Sequence, residues 1–338
     1  MNGYTITAKA QRSSVFTIEN GNVILKNGTI TGGQNGINLK SNASLTGEGL
    51  TVKNNTGNGI NSAYCAVTLS DCKIVDNGSA GLSVSKSSSS GATPVNISGT
   101  EISGNSSKMT LNNVTGTITD TQITGNKNGI EFLNIVAPIT MKNVNVSENI
   151  GPSTSAIFKV DTSSDFIAQN CVFSNNANKG DIVLLSGAGD KTIENCEFIN
   201  NQYTGTSTTT YSTVNITNTN ADNTVKFDQC KVIGNSAGKV GGIQGSGKGI
   251  MTIANTLIQG NTANSAGGVY VSNGTMTVEN TVIKENKAIS VTQGSAGGVH
   301  VYSGSFNMIS GALYNNISEY REAQDLYCES SSKEEASA

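Results

Sequence analysis

The chain is short of most groups that mark a charged or catalytic surface. Of its 338 residues 13% are charged and 5% aromatic; there is no tryptophan and a single histidine. A formal net charge of −3 leaves no basic stripe for phosphates, so nucleic acid is excluded as a partner. Arginine occurs only at Arg12 and Arg321, which removes the planar fork that clamps phosphate and carboxylate. No apolar run is long enough to span a bilayer, so no membrane insertion is expected. The first residues, MNGYTITAKAQR, lack the apolar centre of a signal peptide. Six cysteines with no C-x₂-C pair, beside one histidine, argue against a metal centre, and no cofactor is expected.

What the chain does contain is one phrase, written again and again in Ser, Thr, Asn and 39 Gly. Its clearest copy is 191–201, KTIENCEFINN; others are 166–176 (FIAQNCVFSNN), 225–235 (VKFDQCKVIGN), 251–261 (MTIANTLIQGN) and 276–286 (MTVENTVIKEN). Each ends in a heptad, N/D-C/T-x-h-x-x-N, where h is Ile, Val, Leu or Phe and Gln229 takes the first place in 225–235. Worn or variant copies of the heptad stand at 27–33, 49–55, 71–77, 99–105, 120–126, 143–149 and 310–316. Between heptads a glycine precedes an apolar-x-apolar triplet, as at Gly36-Ile37, Gly81-Leu82, Gly129-Ile130, Gly242-Ile243, Gly268-Val269 and Gly298-Val299. Both signals alternate with period 2, which reads as strand. A unit this short cannot bury its own apolar face and must stack on its neighbours.

The expected fold is therefore all-β: a right-handed parallel β-helix of about twelve turns, each with three short strands, spaced by roughly 21 to 34 residues. A solenoid grows in one dimension, so residues 1–328 read as a single domain despite their length. Residues 329–338 (ESSSKEEASA) read as a disordered tail. Neither end shows a polar cap, and the chain reads as a segment of a larger exported protein. Insertions at 202–212 and 287–296 occupy one corner of the turn and that at 85–92 another, so variable material gathers on one edge.

The heptad assigns roles. Positions two and four share parity, so Cys72, Cys171, Cys196 and Cys230 point inward beside Ile74, Phe173, Phe198 and Val232, in the slot that holds Thr100, Thr121, Thr256 and Thr281 elsewhere. Free cysteine packs as a small hydrophobe, and an interior column is the expectation. A pairing of Cys65 with Cys72 is left open by the sequence. The closing asparagines carry both donor and acceptor and suit a ladder with their equals in the next turn. The pairs Gly241-Gly242, Gly267-Gly268 and Gly297-Gly298 suit a corner of unusual φ.

On the glycine-preceded strands the middle residue faces outward, and late turns present Asn215, Gln244, Tyr270 and His300 in sequence. Such a row, stepping at ~4.8 Å, suits a sugar or an extended peptide; an ordinary solvated face is the plainer reading. Glycosidase chemistry asks for carboxylates converging at set separations. The acidic residues here are scattered, with Asp161 and Asp165 near each other in a Ser-rich turn, so the chain is not expected to be an enzyme.

The pairing of Phe-x-x-Asn (Phe173 to Asn176, Phe198 to Asn201) with Gly-Gly-Val/Ile (241–243, 267–269, 297–299) resembles the repeats of polymorphic outer-membrane proteins and autotransporter-type adhesins. The wider architecture resembles the β-helix of pectin-degrading enzymes. The first resemblance implies a secreted or surface-displayed microbial module. It would act in adhesion or as a spacer, with a glycan or protein on a host or neighbouring cell as partner. The runner-up is a carbohydrate-active β-helix enzyme.

Overall fold

The computed structural model of the protein describes residues 1, 3–9, 12–85, 91–218, 220–291, 294–320, 324–329 and 333–336. Residues 86–90 of the 85–92 insertion, 292–293 of the 287–296 insertion, and 330–332 and 337–338 of the tail lie outside the described residues. The chain forms two compact units, Met1–Ile150 with Asp161–Ser164, and Gly151–Val160 with Asp165–Ala338. Each is a right-handed parallel β-solenoid, with about twelve turns in all and no helix among the described residues.

A turn has three strands, on faces termed A, B and C. In the second unit one turn runs Val183–Ser186 (A), Lys191–Glu194 (B) and Glu197–Ile199 (C). It stacks in register on the next, pairing Val183 with Val214, Lys191 with Val225 and Glu197 with Lys231. The first unit repeats the arrangement: Leu82–Ser85, Thr93–Ser98 and Glu101–Ser103 stack on Met109–Asn112, Val114–Thr119 and Gln122–Thr124. Because register is kept, the fourth heptad position always meets its equal. Phe173, Phe198, Val232, Ile258 and Ile283 line the interior at no more than 1% exposure. The rings of Phe173 and Phe198 lie 4.9 Å apart and nearly parallel, at 4°.

The closing asparagines form the expected ladders, Asn55 to Asn149 in the first unit and Asn176 to Asn316 in the second. Each is at most 3% exposed. Each donates its backbone N–H and its Nδ2 to the Oδ1 of the next, as from Asn77 to Asn105 at 3.1 and 3.0 Å. Nδ2 also reaches a strand carbonyl, such as Phe173 O from Asn201 at 2.9 Å. In the second unit Asp325 takes the next place, accepting from both groups of Asn316 at 3.1 and 2.8 Å.

The residue just before each closing asparagine, and the first of every heptad but the last, take left-handed φ: Asn170 and Asn175 at 53° and 54°, Asn195 and Asn200 at 49° and 54°. Asn, Asp and Gly tolerate that conformation best. In the Asn-Asn doublets of the repeat the first member therefore bends the chain, and the second builds the ladder.

The cysteines are all free, and five of the six, including Cys65 and Cys72, are buried. The inward column also supplies hydrogen-bond acceptors. Cys171 N–H points to Cys196 Sγ at 3.3 Å, and Cys230 N–H to Thr256 Oγ1 at 3.2 Å. Sulfur and hydroxyl thus fill one slot with one function.

Two expectations need correction. None of the paired glycines has a left-handed φ. They are required by close approach: a Cβ on Gly268 would lie 2.5 Å from Gly298 O, and one on Gly241 would lie 2.7 Å from Gly267 O. The stretch 329–338 is not wholly irregular either. Leu326–Cys328 pairs with Val299–Val301, and Lys333–Ala336 pairs with Ser305–Met308, so stacking continues into the tail. The backbone of Lys333–Ala336 finds ladder partners on the turn beneath, which a Ser- and Glu-rich composition does not reveal.

Candidate functional site

Face A of the second unit carries one outward row. Its register runs Leu184, Asn215, Gln244, Tyr270, His300, Tyr327. The four residues expected there are stacked as anticipated, but half of the row does not face solvent. Tyr270 is 5% exposed and His300 3%, whereas Asn215 and Gln244 are half-buried.

The cover is the corner that leads into each glycine pair. Val240, Ala266 and Ala296 bridge one another in parallel, and Val240 and Ala266 form a small cluster with Tyr270. Lys239 stretches over the Tyr270 ring, its Nζ 4.1 Å from the centroid. His300 meets Tyr270 and Tyr327 edge-on at 4.9 and 5.1 Å, with the half-exposed Tyr302 ring at 6.4 Å. Burial, with the charge of Lys239 adding to it, pushes the His300 pKa down to about 4. The ring is therefore neutral near pH 7, and Glu329 Oε1, 3.7 Å from Nε2, faces an uncharged imidazole. Burial pushes Tyr270 up to about 12.

The open half of the row borders a cavity of about 170 Å³ lined by Asp181, Asn215, Gln244, Lys239 and the segment Thr209–Tyr211. Asp181 is 7% exposed and accepts from Ser212 N at 2.6 Å and from Asn215 Nδ2 at 3.1 Å. Burial raises its pKa, and these two hydrogen bonds work against that rise. Asn215 Oδ1 is buried at the cavity wall with no hydrogen-bond partner. Ser212 Oγ donates to Gln244 Oε1 at 2.8 Å. Burial lowers the pKa of Lys239.

Three of these elements escaped the sequence reading. Asp181 looked like one scattered acid among many, and Thr209–Tyr211 like insertion filler. Lys239 did leave a trace: it fills a slot that the following repeats give to Ser265 and Ser295, ahead of the same Gly-Gly. Asp161 is half-buried on its strand Phe158–Thr162 and Asp165 is exposed after it. Among the described residues no three His, Cys, Asp or Glu side chains gather as a metal group, and no helix is long and apolar enough to cross a membrane.

The sequence matches the family described as "right handed beta helix region" over residues 4–93, 67–221 and 155–332. No curated protein matches it. A solved structure, the crystal structure of pectate lyase Pel9A, is similar at 12% identity and a TM-score of 0.30, over 77% of this chain and 70% of that one. A likeness of that size carries no argument and assigns no residue a role. The expectation that the chain is not an enzyme is corrected all the same, because its ground fails in the stacked structure. The exclusion had rested on acids being far apart in sequence. Stacking removes that ground: Asp181 and Asn215 are 34 residues apart and hydrogen-bonded.

Proposed function

The chain belongs to the right-handed β-helix family, and from that premise we propose that it is a ligand-binding module whose face A groove in the second unit holds a glycan. The observation that carries this is the unpaired Asn215 Oδ1 in the wall of a polar cavity shared with Asp181, Gln244 and Lys239. A few convergent polar groups in a concavity fix and orient a small ligand, and about 170 Å³ leaves room for a sugar unit rather than a large cofactor. The module works outside the cell, as an adhesive segment of a surface or secreted protein, with glycans of a host or neighbouring cell as partners. The adhesin-like Phe-x-x-Asn and Gly-Gly-Val/Ile repeats and the weakly charged, Ser/Thr/Asn-rich composition support that setting.

A second reading, glycan cleavage in the same groove, is favoured by one observation: burial raises the pKa of Asp181 and lowers that of Lys239. Shifts of that kind bring an acid and a base toward the range where both can move protons.

A glycan array probed with the purified chain, with products followed by mass spectrometry, tests both. Retention without new products supports binding, and loss of retention in Gln244→Ala places it in the groove. Shortened glycans favour the second reading. No retained glycan and no shortened product overturns both.

A further inference from the structure

We propose that the groove is polarised: it selects sugars bearing an anionic substituent, a carboxylate or a sulfate ester, beside a hydroxyl donor, and Asp181 is the positioning residue that sets this polarity. The inference rests on the glycan-binding reading above and goes on to specify the ligand.

The polarity follows from a short chain of hydrogen bonds. Both oxygens of Asp181 are engaged, Oδ1 by Ser212 N–H at 2.6 Å and Oδ2 by Asn215 Nδ2 at 3.1 Å. An ionised carboxylate only accepts, so Asn215 must turn its amide nitrogen toward Asp181. Its Oδ1 is thereby left as the acceptor without a partner. The hydroxyl of Ser212 occupies Gln244 Oε1, which leaves the Gln244 amide nitrogen as a donor. The site thus offers one acceptor and an amide donor, with a cation beside them.

Lys239 supplies the charge. Elsewhere in this unit Lys226, Lys231, Lys284 and Lys287 each have a carboxylate partner, while Lys179 and Lys248 are exposed to water. Lys239 has none among the described residues; its contact is the Tyr270 ring at 4.1 Å. Burial lowers its pKa, so its ammonium is partly stripped of water with a π face as its compensation. An anion in the cavity would supply what the protein does not. Nor does the fold demand a lysine, since Ser265 and Ser295 stand at that corner in the following turns.

The test is calorimetric titration with matched oligosaccharides of one backbone: neutral, uronate and 6-O-sulfated. The intact chain should prefer an anionic member at least tenfold, and the uronate and sulfated arms show which anion is taken. Lys239→Met should erase that preference and Lys239→Arg should keep much of it. Asp181→Asn should lose at least fivefold in affinity with an unchanged melting curve. The exchanged pair D181N/N215D, in which amide and carboxylate trade places, should recover much of that loss. A purely structural role for Asp181 predicts no such rescue. Equal affinity for neutral and anionic sugars, or indifference to Lys239→Met, overturns this inference and leaves the glycan reading standing. Absence of binding to any member overturns this inference, and the glycan reading falls with it if the array is also blank.

Discussion

Asn201 donates twice to a single atom: its backbone N–H and its side-chain Nδ2 each reach Oδ1 of Asn235 at 2.9 Å. Asn235 in turn gives its own two donors to Asn261 at 3.0 and 2.9 Å and caps the strand carbonyl of Phe198. Each rung satisfies corner backbone that no strand ladder reaches, in an interior closed to water. Asn235→Ala leaves the two Asn201 donors without their acceptor, and each unpaired buried group costs about 1–3 kcal/mol. Urea denaturation should show a loss of at least about 2 kcal/mol, and a change near zero would mean that water takes over the rung.

Gly268 gives a test of close approach against backbone freedom. Its φ is not left-handed, and at such a position Gly→Ala ordinarily stabilises by about 0.4–1 kcal/mol. Here the added methyl would sit 2.5 Å from Gly298 O and 2.9 Å from Ile283 Cγ2. Gly268→Ala should therefore destabilise by about 1–3 kcal/mol, read as a lower denaturation midpoint. A higher midpoint would refute the packing account.

Thr256 separates the size of the inward slot from its chemistry. Its hydroxyl accepts from Cys230 N at 3.2 Å and donates to Ala254 O at 2.7 Å. Thr256→Cys, the residue the repeat uses elsewhere, should change stability by less than about 1 kcal/mol. Thr256→Val has nearly the same shape but no acceptor, and should cost about 1–3 kcal/mol. Equal midpoints for the two variants would reduce the column to packing alone.

His300 predicts a pH dependence of known sign. Its pKa falls from 6.5 to about 4 in the folded chain, so between those values the unfolded chain binds more protons. Stability then rises with pH across the window and is lost as pH falls from 6.5 toward 4. At 1.36 kcal/mol per pH unit the loss is about 3 kcal/mol. Lys239 and the Tyr270, Tyr302 and Tyr327 rings face the imidazole with Glu329 and the Ser265 backbone, and of these only Ser265 and Glu329 would favour its protonation. Urea midpoints from pH 4 to 7 should slope upward in the intact chain and flatten in His300→Phe. A slope that survives the substitution would assign the effect to other groups.

The repeat was legible because a solenoid turns sequence period into spatial contact. Once Cys196 and Phe198 share parity and Asn201 closes the heptad, the stacking of equals follows, and so do the core, the register and the asparagine ladder. The order of Asn215, Gln244, Tyr270 and His300 along face A was legible for the same reason. Their environment was not. Whether an outward side chain meets water depends on the corner path between faces C and A, whose length varies from turn to turn. Lys239, Ala266 and Ala296 lie on that path, and no alternation rule covers them.

By itself, then, the sequence determined that this chain stacks into parallel turns, and which side chains point inward. Those properties depend on the parity of residues a few positions apart. Tertiary structure alone decided that His300 is sealed in and that Asp181, Asn215 and Lys239, drawn from successive turns, share one cavity. Their neighbourhood is set by how irregular corners drape over a regular stack. The glycine pairs carry both halves: their recurrence is written in the chain, but their reason, a carbonyl 2.5 Å from where a methyl would stand, exists only once the turns are stacked.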